Sequence, residues 1–387
     1  MSFHLQTRAI RNQHERTAFK EHSVPLYLTS SFVFDDAEQM RARFAEEEEG
    51  NLYSRFSNPN TEELIQKIAL LEVTETGWAT ATGMSAVFTS LAAFLTTGDE
   101  IVSCRSVFGS THQLFTTVFP KWGVSTHYVD VLATEQEWEA KINANTKIIF
   151  AETPTNPSVE LLDLALLGKL AKKHNVLLVI DNCFATPFLQ QPAKFGADII
   201  IHSATKYIDG QGRVLGGLIA TSEVLLKEIK FFARHSGPAM SPFNAWVLSK
   251  SLETLSLRME KHSSNALQIA ENLQEHAAVD SVSYPFLSSH PQFELAKKQM
   301  TAGGGIVAFE HKNGLAGGRE FLNKLKLLSL SANLGDSRSI ATHPASTTHA
   351  KLSTEERLQA GITDGLIRIS VGLEHVDDIW NDIAQAL

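Results

Sequence analysis

IIIHSATKYIDGQGRVLGG, residues 199–217, is the stretch from which the rest of this chain is best read. Its apolar residues run unbroken to His202, as in a strand covered on both faces. Ser203, Ala204, Thr205 and Lys206 come next, and then a loop with glycines at 210, 212, 216 and 217. Those glycines permit positive φ and close backbone approach. A lysine just past a strand end lies where open α/β sheets bind ligands. Two hydroxyl residues flank it, a pairing suited to an anion. Taken alone, Lys206 also reads as an ordinary surface lysine.

Three further apolar runs, DEIVSC (99–104), TKIIFAE (146–152) and VLLVID (176–181), have the same texture. Between the last two lies LLDLALLGKLAKKHN (161–175), which reads as a helix. TEELIQKIALLEV (61–73) reads as an amphipathic helix starting after a Pro-Asn-Thr stop, and GMSAVFTSLAAFLTTG (83–98) as a buried one. Alternating strands and helices imply an α/β layered domain, expected over residues 61–250. Residues 1–60 hold turn signals and few helical stretches, and read as an extended arm. After residue 250, SLETLSLRMEKHSSNALQIAENLQEHA reads as a long helix. SVSYPF, GGGIVAFE and GLIRISVGL read as short strands. Residues 251–387 are therefore expected to form a smaller α+β domain.

At 387 residues the chain is long for one domain. Its 34 basic and 43 acidic residues give a net charge of −9, which offers nothing to nucleic acid or an anionic membrane. Two cysteines, Cys104 and Cys183, with no CxxC pair, make a disulfide framework or a zinc site improbable. No metal is expected. The first residues lack the apolar run of a secretory signal, and no stretch approaches the ~18 apolar residues of a membrane span. A cytoplasmic protein is expected. Glu46–Glu49 reads as a solvated helix face or turn.

Four other places carry chemistry. Asp181 ends the run VLLVID, and a buried acid at a strand end needs a partner. A protonated ring nitrogen is one such partner; a helix cap or a salt bridge is another. Gly83 and Met84 open a helix, where free amides make an anion site. Asn156 sits between two prolines in AETPTNP (151–157), which fix the backbone around its amide. In LYSRFSNPN (52–60), Tyr53 and Arg55 stand two apart in an extended segment and so point the same way. The last two also read as plain turns.

Together these blocks, with SANLGD, IATHPAS and IRISVGLE, resemble the Cys/Met-metabolism family of fold type I pyridoxal-phosphate (PLP) enzymes, from roughly residue 23 to the C-terminus. The resemblance implies an aspartate-aminotransferase-like large domain with a mainly parallel sheet. It implies that Lys206 binds the cofactor aldehyde and shuttles protons, and that Asp181 pairs with the pyridine nitrogen. Ser203, Thr205 and the backbone of Gly83 and Met84 match the phosphate site. Phe108 matches the stacking ring, and Asn156 the residue near the ring hydroxyl. Arg368 matches the clamp on the substrate α-carboxylate, and Asn333 a neighbouring substrate contact. Tyr53 and Arg55 match residues that reach the cofactor of an adjoining subunit, Tyr53 with a part in catalysis. The resemblance also implies a homo-oligomer, a dimer of dimers by the family's habit.

Three positions depart from the commonest family pattern. Phe108 stands for tyrosine, Cys183 for threonine and Asn333 for serine. With IDGQGR after the lysine, these variants resemble the O-succinylhomoserine sulfhydrylase branch. The implied reaction is γ-replacement on an amino-acid ester by sulfide or a thiol. A cystathionine γ-synthase, a γ-lyase and a non-catalytic PLP-fold protein are the alternatives. A nucleotide-binding dehydrogenase would want GxGxxG between its first strand and helix, and the chain has none there.

Overall fold

In the computed structural model, which describes residues 3–348, 350, 353–359 and 361–387, two sheets divide the chain. The larger has seven strands: β1 (Thr76–Thr80), β2 (Glu100–Cys104), β3 (Ser125–Val129), β4 (Thr146–Glu152), β5 (Leu177–Asp181), β6 (Ile199–Ser203) and β7 (Gly217–Thr221). Their order is β1-β7-β6-β5-β4-β2-β3. Strands β6, β5, β4, β2 and β3 are parallel, and β7 runs antiparallel to both of its neighbours. A mainly parallel sheet was the expectation, and the reason lies in the runs themselves. One face buries Ile101, Phe150, Val179 and Ile201 against the Gly83–Ala92 helix. The other buries Val102, Ile149 and Ile180 against Leu167 and Leu170 of the Leu164–His174 helix. With side chains alternating between faces, two covered faces demand uninterrupted apolar sequence.

The smaller sheet has five strands: β8 (Val279–Ser283), β9 (Ile306–His311), β10 (Ser329–Leu330), β11 (Ile340–Thr342) and β12 (Leu366–Ser370), in the order β10-β11-β12-β9-β8. Val307, Phe309, Ile367 and Ile369 pack beneath the Leu255–Gln274 and Val376–Ala386 helices. A further core joins the two sheets and includes Tyr207, Leu248, Met259, Ile306 and Leu366. No helix of the described residues is long and apolar enough to cross a membrane.

Local boundaries differ from the sequence reading in instructive ways. Pro59 starts the first long helix as its first helical residue, with Asn58 capping the Asn60 amide. Proline's fixed φ and missing N–H suit that position, so the Pro-Asn-Thr signal lies inside the helix. The buried helix that begins at Gly83 ends at Ala92, not near residue 98. The first sixty residues contain helices at Leu5–Arg11 and Ala37–Phe44. The second is capped by Asp36, whose carboxylate accepts the Gln39 amide. Glu46 lies just beyond it and pairs with Lys230 and Arg234, so this charge block fastens the arm to the body.

Candidate active site

Strands β4, β5 and β6 stop at one rim and deliver Glu152, Asp181 and Ser203 to it. The turn after β6 carries Lys206 and is stitched by backbone bonds. Lys206 N–H donates to Ser203 O at 3.1 Å, and Gly210 N–H to Lys206 O at 2.8 Å. Gly210 and Gly212 have φ of 69° and 66°, as that turn requires. Arg258 anchors the turn from below. Its guanidinium donates to the carbonyls of Tyr207, of Ile208 at 3.1 Å and of Ser251 at 2.9 Å. The smaller sheet closes the other side with Arg368 on β12 and with the loop that carries Asn333. Residues of both sheets enclose one cavity of about 930 Å³, within the usual range for small-molecule sites.

Polar contacts tie the two sides together. Lys206 Nζ donates to Asn333 Oδ1 at 2.6 Å. Arg368 Nη1 donates to Asn156 Oδ1 at 2.9 Å, and Nη2 to Asn333 O at 3.2 Å. Asn333 thus bridges the lysine and the arginine, and Asn156 orients the arginine from the opposite wall. Burial lowers the pKa of Lys206, and the nearby Arg368 charge lowers it further. Burial also brings Arg368 down to about 10.

Glu152 and Asp181 are partners in the β4–β5 register, so two carboxyl groups share one buried rim. Burial pushes Asp181 up to about 6, opposed by the Cys183 amide, which donates at 3.0 Å, and by the His202 charge. Glu152 is held well above the ordinary carboxylate range by burial and by Asp181 itself. Of the pair, Glu152 is thus raised by its neighbour as well as by burial. Glu152 Oε2 also accepts the Phe108 amide at 2.7 Å, which fixes that half-exposed ring at the cavity edge.

The helix beginning at Gly83 points its first turn at Ser203. Thr82 and Ser85 satisfy each other in a capping box. The Gly83 and Met84 amides have no acceptor within the helix. A Cβ on Gly83 would stand 2.6 Å from Ser203 Cβ and 2.7 Å from its Oγ, so only glycine lets amide and hydroxyl share this corner. Thr205 Oγ1 accepts the Gly216 amide at 3.2 Å and braces the turn. Cys183 lines the cavity, and burial pushes its thiol up.

Nine of the twelve candidate residues therefore line one cavity, and Asn333 joins them through its contacts with Lys206 and Arg368. Tyr53 and Arg55 do not join them within this chain. Arg55 donates to Arg234 O and stacks 4.6 Å over the Phe56 ring. Glu152 escaped the sequence reading. Its signal was there, since TKIIFAE ends in an acid as VLLVID does. Arg258 gave no such signal, because its partners are carbonyls brought near only by folding.

The model of the Cys/Met metabolism PLP-dependent enzyme family matches residues 6–387. The chain is 46% identical to an O-succinylhomoserine sulfhydrylase of Pseudomonas aeruginosa, covering 99% of this chain and 95% of that protein. It is 42% identical to an L-methionine gamma-lyase of Fusobacterium nucleatum, covering 99% and 98%. A crystal structure from Campylobacter jejuni, assigned as an O-acetylhomoserine (thiol)-lyase and containing pyridoxyl-lysine phosphate, superposes with a TM-score of 0.95 at 35% identity, covering 99% of both chains. The chain belongs to the Cys/Met metabolism family of PLP-dependent enzymes.

Proposed function

We propose that this enzyme converts O-succinyl-L-homoserine and sulfide to L-homocysteine and succinate. The Cγ–O bond breaks, succinate leaves with the electron pair, and the sulfur of sulfide forms the new bond to Cγ. The observation that carries the reading is the Lys206–Asn333–Arg368 chain of contacts facing Asp181 across one cavity. Full-length similarity to an O-succinylhomoserine sulfhydrylase supports the choice of ester.

The residues fit pyridoxal phosphate on structural grounds. Gly83 and Ser203 make a corner that a single Cβ would fill, which with the free amides suits a phosphate. Asp181, a carboxylate at the end of β5 in the cavity, suits a protonated ring nitrogen. Phe108 suits ring stacking, and Asn156 the ring hydroxyl. When bound, the cofactor supplies an aldehyde that condenses with amines and a ring that accepts electron density.

The chain's own part is positioning and proton traffic. Arg368 binds the α-carboxylate with a guanidinium already oriented by Asn156 and Asn333. Lys206 needs a neutral amine to take the proton at Cα. Its lowered pKa makes that form accessible, and Asn333 aims it.

Tyr53 and Arg55 complete the phosphate site of a second copy in this reading. Phe19 and Val33 of the same arm are 92% and 93% exposed, which supports a partner for it. A dimer of dimers in the cytoplasm belongs to the same proposal.

The test is an assay of purified protein with O-succinylhomoserine and sulfide. Homocysteine and succinate in equal amounts support the reading, and no homocysteine removes it. Similarity to a methionine γ-lyase favours a second reading, elimination. α-Ketobutyrate and ammonia formed without consumption of sulfide would establish that instead.

A further inference from the structure

We propose that Arg105 forms a second anion subsite, which binds the distal carboxylate of a dicarboxylate ester and so reads the acyl group. This rests on the reading of the site just given. Arg105 directly follows β2, on the rim that also carries Glu152, Asp181 and Ser203. It lines the same cavity as Lys206 and Arg368. Its guanidinium stacks 4.9 Å from the centre of the Tyr128 ring. Among the described residues the arginine ion pairs belong to other arginines, and no carboxylate pairs with Arg105. The acid at the end of the adjacent strand, Glu152, bonds instead to the Phe108 amide.

The Tyr128 hydroxyl lies 3.3 Å from His112 Nδ1, and His112 also lines the cavity. Burial, and then the Arg105 charge, lower the His112 pKa. Arg105 and the His112 ring thus share this corner of the cavity.

The cavity thus holds two guanidinium groups of different character. Arg368 is buried and held by two asparagines, ready for a carboxylate of fixed position. Arg105 is exposed and, among the described residues, pairs with no carboxylate, ready for a flexible one. A monocarboxylate such as O-acetylhomoserine satisfies one of them. O-Succinylhomoserine carries a second carboxylate at the far end of its acyl chain and satisfies both. Charge-assisted bonds from a guanidinium to a carboxylate are strong enough to separate two such esters.

The experiment compares kcat and KM of the holoenzyme for both esters, with sulfide, in wild type, Arg105→Ala and Arg105→Lys. The ratio of kcat/KM for the succinyl over the acetyl ester is expected to fall about ten-fold or more in Arg105→Ala. Arg105→Lys, which keeps the charge, should restore part of it. A ratio unchanged in Arg105→Ala, whatever happens to each ester singly, overturns the subsite. Spectral titration of each holoenzyme with O-succinylhomoserine reads binding without turnover. Wild type that binds this ester but makes no homocysteine removes the proposed reaction alone. Equal affinity in wild type and Arg105→Ala removes the subsite alone.

Discussion

Lys206 Nζ donates to Asn333 Oδ1 at 2.6 Å, although 127 residues separate the two in sequence. The lysine belongs to the turn after β6 and the asparagine to a loop of the smaller sheet. The amine is therefore aimed by the junction between the sheets, not by its own loop. Replacing Asn333 with Ala should lower kcat/KM roughly ten-fold, the effect of losing one hydrogen bond to a charged or reacting group. Cofactor absorbance should persist, because the lysine itself remains. Steady-state kinetics with an absorbance spectrum of each variant check this, and unchanged kinetics would remove the aiming role.

Gly83→Ala places a methyl group 2.6 Å from Ser203 Cβ and 2.9 Å from its Cα. Backbone cannot give way as a flexible side chain can, so the corner must open. Affinity for PLP should drop about ten-fold or more, read by fluorescence titration of the apoprotein. An unchanged affinity would place the phosphate elsewhere.

Asp181 titrates near 6 when folded, against an ordinary 3.8. Folding favours its neutral form. Its contribution to apoprotein stability is therefore full below about pH 4 and is lost as pH rises through about 6. Cofactor binding has the opposite sense, because a protonated ring nitrogen pairs with the ionised carboxylate. PLP affinity should rise between about pH 5 and pH 7 more steeply in wild type than in Asp181→Asn. Lysine protonation acts on both proteins alike, so the difference isolates Asp181. Parallel pH profiles would contradict the pairing.

Much of this was legible in the sequence, for one physical reason. Strands covered on both faces must be continuously apolar, so DEIVSC, TKIIFAE, VLLVID and ADIIIHS marked the centre of the large sheet. The polar residues at the end of each run then marked the rim, which is why Asp181 and Lys206 stood out. Contacts made across the two sheets were not legible. Nothing in SANLGD says that its asparagine reaches Lys206, or that Asn156 orients Arg368. Glu152 is the intermediate case. Its place at a strand end is plain, but its partner Phe108 depends on the path of the chain after β2. Asn58 and Thr82 cap their helices as capping chemistry predicts, and Pro59 misled because proline marks a start as readily as a stop.

Tyr53 and Arg55 yield a prediction about assembly. If each completes the site of a second copy, Arg55→Ala and Lys206→Ala chains are each inactive alone, yet complementary. Refolding them together should restore roughly a quarter of wild-type activity, since half of the dimers are mixed and half of their sites intact. Activity no greater than the sum of the two variants would confine the site to one chain.

The most direct test is borohydride reduction of the purified PLP-loaded enzyme, then proteolysis and mass spectrometry. The peptide containing Lys206 should carry the phosphopyridoxyl group, and Lys206→Ala should carry none. A label on any other lysine, or bound cofactor that leaves no label, would contradict the account.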